Sequence, residues 1–93
     1  MENPYDEELR SLDAEIDDLR KRRERAVSDL VRISADLRYA NIKRKERKEI
    51  IEKVSLLAYQ IHGYDTVIMQ ELLAKRHDLE TKRYILEYVR VKQ

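Results

Sequence analysis

The first part of the chain carries apolar residues at alternating intervals of four and three positions. An average interval of about 3.5 is the period of helices that pack along their whole length. The members of this seam are Tyr5, Leu9, Leu12, Ile16, Leu19, Arg23, Ala26, Leu30, Ile33, Leu37 and Ala40. The seam predicts a first helix over residues 4–40, with Asn3 as its cap and Pro4 in its first turn.

The same phase resumes beyond a polar segment around Asn41, and its members are Ile51, Val54, Ala58 and Ile61. We therefore expect a second helix over residues 45–62. The chain has neither Gly nor Pro around Asn41. Two alternatives therefore stay open, a break between the two helices or one helix that continues to His62.

A helix stop is expected at His62–Gly63, because glycine readily adopts the left-handed conformation that ends many helices. Asp65 or Thr66 can then cap a third helix over residues 66–91. Its apolar face includes Ile68, Leu72, Leu79, Leu86 and Val89. A short turn at this point would fold the third helix antiparallel onto the second.

The composition agrees with a single all-helical domain over residues 1–93. The chain has one Gly, one Pro and no Cys, and 42% of its residues are charged, which is typical of long helices and coiled coils. The expected fold is all-α: a long N-terminal heptad helix plus one or two further antiparallel helices, as in a helical bundle or coiled coil. The lack of Cys excludes a disulfide framework and a thiolate metal site.

A chain of 93 residues is near the lower limit for burying a sufficient core unaided, so we expect a homodimer. The expected self-association surface is the seam of the first helix: Leu9, Leu12, Ile16, Leu19, Arg23, Leu30, Ile33 and Leu37. Arg23 interrupts this seam and has two interpretations. Its stem packs along the seam while its guanidinium reaches a nearby acid, or it fixes the register by pairing across the interface.

Residues 1–8 lack the basic and apolar regions of a signal peptide. No apolar run approaches the roughly 20 residues of a membrane span. We therefore expect a soluble, cytoplasmic protein that has no membrane partner.

Charge is distributed in three blocks, although the net charge is only +1. Residues 1–18 carry eight acids and one base, residues 19–48 carry twelve bases and four acids, and residues 49–93 carry seven of each. Bases of the middle block are candidates for contact with a polyanion or with the acidic surface of a protein. The candidate residues are Arg20, Lys21, Arg22, Lys43, Arg44, Lys45, Arg47 and Lys48.

No residue pattern indicates a catalytic or metal site. His62 and His77 are the only histidines, and their spacing matches no metal-binding motif. A single glycine excludes a glycine-rich phosphate loop, and the serines lie within predicted helices rather than on the strained turn of a nucleophile. We expect no enzymatic activity, cofactor, metal or small-molecule substrate.

One enzyme family has a similar order of elements. A long first helix, a second after a polar link and a third after a glycine turn, together with segments 9–17 and 22–27, resemble the dimeric all-helical chorismate mutases. The resemblance implies a divergent enzyme that binds a dicarboxylate through cations. The residues at the family's cationic spacing are Lys21, Arg32 and Arg44. The chain departs from the family's Glu, Gln and Arg at Lys45, Thr81 and Pro4.

The favoured function is a small non-enzymatic interaction protein, a regulator, adaptor or inhibitor, that self-associates through its first helix and binds another protein. The alternatives are a nucleic-acid-binding dimer that uses the basic middle block, and the mutase-like enzyme. The tyrosines of the later helices either belong to a core or interface edge, or form an aromatic patch for a partner. They are Tyr59, Tyr64, Tyr84 and Tyr88.

Overall fold

The computed structural model describes residues 3–38 and 41–92 and contains helices joined by short segments. Helix α1 spans Tyr5–Ala35 and tightens into a 3₁₀ turn at Asp36–Arg38. Helix α2 spans Arg44–Thr66, a π-helical turn spans Val67–Leu72, and helix α3 spans Leu73–Lys92. The all-α class is therefore confirmed.

The molecule is a two-helix hairpin rather than a three-helix bundle. Helix α2, the π-helical turn and α3 follow one another without a break, and we call this unit the C-terminal helix (residues 44–92). Helix α1 packs against it in the antiparallel direction, since residues near the start of α1 contact residues near the end of α3. The result is a rod of 74 × 18 × 14 Å.

The stop predicted at His62–Gly63 is wrong. Gly63 does not adopt a positive φ, and its carbonyl accepts a hydrogen bond from the backbone N–H of Val67, as in an uninterrupted helix. Glycine permits the left-handed conformation but does not impose it. Helix α3 therefore continues the direction of α2 and does not fold back onto it.

The reversal of the chain lies between the two units, after the 3₁₀ turn that ends at Arg38 and before α2 begins at Arg44. A break between the first and second helices in this region was one of the two alternatives that the sequence allowed. The regular part of α1 ends at Ala35, and the predicted end of the first helix near residue 40 lies outside the described residues.

Asn3 fastens the start of α1 to α3. Its side chain is 3% exposed, and its Oδ1 accepts a hydrogen bond from the backbone N–H of Tyr5 at 3.0 Å. Its Nδ2 donates to the Arg83 carbonyl at 3.3 Å and to Glu87 Oε1 at 3.0 Å. The residue expected to cap the helix therefore also holds the two chain ends together.

The hydrophobic core occupies one half of the rod. Its buried residues are Leu12, Ile16, Ile68, Leu72 and Leu79, and apolar neighbours such as Leu9, Leu19 and Tyr64 pack around them.

No helix in the described part of the chain is long and apolar enough to cross a bilayer.

The π-helical turn realigns the C-terminal helix on α1. Before the turn, the partly buried apolar positions are Ile50, Val54, Leu57, Ile61 and Tyr64. After it, the inward positions are Leu72, Leu79 and Leu86, one residue later than a continued heptad from Ile61 would place them. A π-helical turn accommodates one extra residue, so both stretches can face α1.

Candidate interaction surface

The predicted self-association seam lies between the two helices of the same chain. Leu12 and Ile16 are buried there. The other seam residues are only partly buried, namely Leu9, Leu19, Arg23, Leu30, Ile33 and Leu37. The seam therefore packs within the chain, and part of its apolar area remains exposed to solvent.

Arg23 pairs across the hairpin with Asp65 of α2. Its Nε donates to Asp65 Oδ1 at 2.5 Å, and the two side chains are 39% and 44% exposed. The hydrogen bond to Asp65 raises the pKa of the Arg23 guanidinium. The guanidinium thus lies at the solvent-exposed edge of the seam and bridges the two helices.

The two ends of the rod differ in how well they are packed. We define the terminal half as residues 3–18 and 67–92, which contains the buried core cluster. The loop half comprises residues 19–38 and 41–66. Within Arg44–Thr66 no residue is buried, and on the α1 side of this half Ala26 is the buried residue. The loop half therefore has apolar residues at the spacing of a core, but most of them are not buried.

Exposed apolar side chains occur in both halves. In the loop half, Val31 is 59%, Ile51 49% and Leu56 65% exposed. In the terminal half the exposed residues lie mostly in the last turns of α3: Met69, Tyr84, Ile85, Tyr88, Val89 and Val91. Tyr84, Ile85, Tyr88 and Val89 lie within two turns of one another, and contiguous apolar patches mark surfaces that bind other molecules.

The first group of candidate cations is largely neutralised by its own helix. Lys21 Nζ lies 3.0 Å from Asp17 Oδ2, and Arg22 Nε lies 3.1 Å from Asp18 Oδ2. Arg20 lines a shallow groove together with Asp13 and Asp17. This group therefore presents a mixed surface and is a poor polyanion site.

The second group of candidate cations lies at the loop end of the rod. Lys43 precedes α2, and Arg44, Lys45, Arg47 and Lys48 occupy its first two turns, all exposed. The last four, together with Ile51 and Glu52, line an open groove of about 780 Å³. Within the described residues, none of the five cations forms an ion pair, so the loop end is strongly positive.

The structure separates the tyrosines instead of gathering them into one patch. Tyr64 packs against the core, whereas Tyr59, Tyr84 and Tyr88 are exposed. About 25 residues of helix separate Tyr59 from Tyr84, which corresponds to roughly 37 Å. Among the described residues, no three His, Asp or Glu side chains are grouped as metal ligands.

Two of the three residues suggested by the mutase resemblance form ion pairs within α1. Lys21 pairs with Asp17, and Arg32 pairs with Asp29 on its own helix. Arg44 is the first residue of α2, near the loop end. The third helix of the resemblance also required a turn at Gly63, where the chain is helical.

Comparisons of the chain with protein-family models, with curated proteins and with solved structures give no match. The geometry of the hairpin therefore carries the functional inference.

Proposed function

We propose that the chain is a non-enzymatic helical interaction protein, a regulator, adaptor or inhibitor, that self-associates and binds another protein. The observation that carries this proposal is the loop half, where no residue of α2 is buried and Val31, Ile51 and Leu56 are about half exposed or more. Two helices bury a single stripe each, whereas four helices enclose the flanking positions as well. A four-helix, coiled-coil-like dimer would complete the core of the loop half.

The exposed area supports association. A compact monomer of 11.3 kDa is expected to expose about 5,700 Å², whereas this chain exposes 7685 Å². The difference of about 2,000 Å² exceeds the roughly 800 Å² that each partner buries in a standard interface. The hairpin therefore has enough exposed area for an interface of standard size.

The association surface combines both helices of the loop half. On α1 it includes the partly buried seam residues Leu30, Ile33 and Leu37. On α2 the exposed residues Ile51 and Leu56 lie on opposite sides of the inward stripe, about 140° apart around the helix, so the surface includes both flanks of α2. A partner protein would be recognised in the same way, through an amphipathic helix laid on apolar side chains. A cytoplasmic location is also part of the proposal.

Light-scattering mass after size exclusion tests self-association. We expect about twice the chain mass of 11.3 kDa, and a shift toward the single-chain mass for the double variant Ile51→Gln with Leu56→Gln. The matched control, Glu52→Gln with Ser55→Gln, changes exposed polar positions of the same helix and should leave the dimer intact. A wild-type protein that is monomeric at high concentration would refute the proposal.

A second candidate function, polyanion binding, is favoured by the exposed cations of the loop end. Such binding would be weakly sequence-specific and would fall steeply with salt. Fluorescence anisotropy with a labelled 20-base-pair duplex tests it. Affinity that is unchanged in the variant Arg44→Gln with Arg47→Gln would exclude the loop end as the contact.

A further inference from the structure

Folding converts the charge blocks of the sequence into a rod with oppositely charged ends. The terminal half carries eleven acids and seven bases, and the loop half carries thirteen bases and seven acids, for net charges of −4 and +6. Because α1 and α3 are antiparallel, the acidic start of the chain lies at the end of the rod farthest from the basic loop end.

This distribution distinguishes between the two ways in which two rods can lie side by side. A parallel arrangement would place both loop halves together, with +6 beside +6. An antiparallel arrangement places each loop half beside a terminal half of opposite sign. Packed helices lie about 8–10 Å apart, within the Debye length of roughly 10 Å at 0.1 M salt. The charges therefore act on the choice of orientation.

We infer that two copies of this chain pair antiparallel, with the basic loop end of each copy on the acidic terminal half of the other. This inference rests on the self-association proposed above and assigns its orientation. The occupant of the open loop half is thus a second copy of the chain, selected by charge and supported by the exposed area.

The exposed apolar residues agree with this orientation. A twofold axis at Ile68, the middle of the C-terminal helix, would bring Ile51 of one copy level with Ile85 of the second copy, since both are equally far from Ile68 along the helix. These two side chains are 49% and 54% exposed. The overlap therefore pairs the apolar surface of the loop half with that of the last turns of α3.

Distance measurements between two spin labels test the orientation directly. The chain has no native cysteine, so single cysteines can be introduced at Glu46 and Arg90, which are exposed near opposite ends of the C-terminal helix. At 1.5 Å per residue these positions are about 65 Å apart along one chain. For labelled Glu46→Cys alone, we expect a distance of about 65 Å or more between the two copies.

Mixing labelled Glu46→Cys with labelled Arg90→Cys gives the complementary measurement. The antiparallel arrangement predicts a new distance of about 20 Å between a label at position 46 and one at position 90 of the other copy. A dimer with a distance near 20 Å between two Glu46→Cys labels would overturn the orientation and leave self-association intact. A monomer by light scattering would overturn both.

Charge reversal tests the cause of the orientation. The triple variant Lys45→Glu, Arg47→Glu, Lys48→Glu removes the net positive charge of the loop half, and we expect dimerisation roughly tenfold weaker or worse at low salt. The matched control, Lys45→Arg with Lys48→Arg, keeps the charge and should dimerise like the wild type. A monomeric wild type that binds a 20-base-pair duplex would assign the basic end to a polyanion and overturn the inference.

Discussion

Arg23 shows how a charged residue is accommodated in an apolar seam. The sequence allowed either a snorkelling side chain or a pair across an interface, and the pair with Asp65 combines the two within one chain. Asp13 with Arg76 and Asp6 with Arg83 repeat the same antiparallel register. Exposed pairs add little stability one by one. A slip of one helical turn would separate all three pairs, so together they select the register.

Asp6 links this register to pH. The hydrogen bond from Arg83 lowers the pKa of the Asp6 carboxyl below its ordinary value of 3.8. A lowered pKa stabilises the folded state above pH 3.8, and this stabilisation is lost as the pH falls through the folded pKa. We therefore expect Asp6→Asn to unfold at lower urea concentration than the wild type at pH 7, with a difference that shrinks toward pH 2.

Circular dichroism during urea titration at several pH values measures this effect. The control Glu7→Gln removes a carboxylate from the same turn but leaves the pair with Arg83 in place. A constant difference between Asp6→Asn and the wild type from pH 7 to pH 2 would contradict the linkage.

Gly63 is a destabilising residue in the interior of α2. An added Cβ would meet no atom within 4 Å, and the backbone there is helical. Gly63→Ala should therefore stabilise the fold by about 1 kcal/mol, which corresponds to roughly 4–8 °C in melting temperature for a domain of this size. The reverse change at an exposed helical position, Ala58→Gly, should lower the melting temperature by a similar amount. A lower melting temperature for Gly63→Ala would show that the helix needs the glycine.

At the scale of elements, α1 was predictable because its seam is long and regular and its start is marked by Asn3 and Pro4. The seam could not show whether its partner is another chain or the same chain, because apolar spacing is identical in both cases. The continuation past Gly63 was missed because tertiary contacts decide it. Tyr64 and Ile68, which follow the expected stop, both pack with Leu12 and Ile16 of α1.

The π-helical turn left a trace in the sequence. One apolar series ends with Ile61 and Tyr64, and another continues through Leu72 and Leu79 with an offset of one residue. Two such series are also compatible with two helices separated by a turn, which is the arrangement predicted above. An offset of one residue between two series is also the pattern of a single helix that contains one extra residue.

Deleting one residue tests this interpretation. Removal of Gln70, which is exposed within the π-helical turn, should convert the turn to regular α-helix and leave the helix content and melting temperature unchanged or higher. Removal of the exposed Ala14 from α1 should rotate the seam by about 100° and cost roughly 2–5 kcal/mol through lost core contacts. If both deletions lowered the helix content and melting temperature equally, as measured by circular dichroism, the π-helical turn would not be what realigns the C-terminal helix on α1.

At the scale of the whole molecule, the hairpin is a rod whose two halves are packed to different extents. The terminal half holds the core cluster and the contacts of Asn3. In the loop half no residue of α2 is buried, and this half carries the net positive charge. The same division thus provides both a stable scaffold and an open surface. Neither property belongs to a single residue, which is why sequence patterns showed the helices but not the asymmetry.

The position of the core at the open end of the hairpin has a consequence for the order of folding. The contact between Asn3 and Glu87 joins residues 84 positions apart, so closing the core requires a long loop to form first, at a cost in chain entropy. If the two helices instead paired from the connection outward, the first contacts would contribute little free energy, because the loop half buries little apolar area. We therefore expect Leu72→Ala to slow refolding, whereas Leu57→Ala, in the loop half, should chiefly speed unfolding. Stopped-flow fluorescence of the tyrosines would show the reverse pattern if the chain instead closed from its connection.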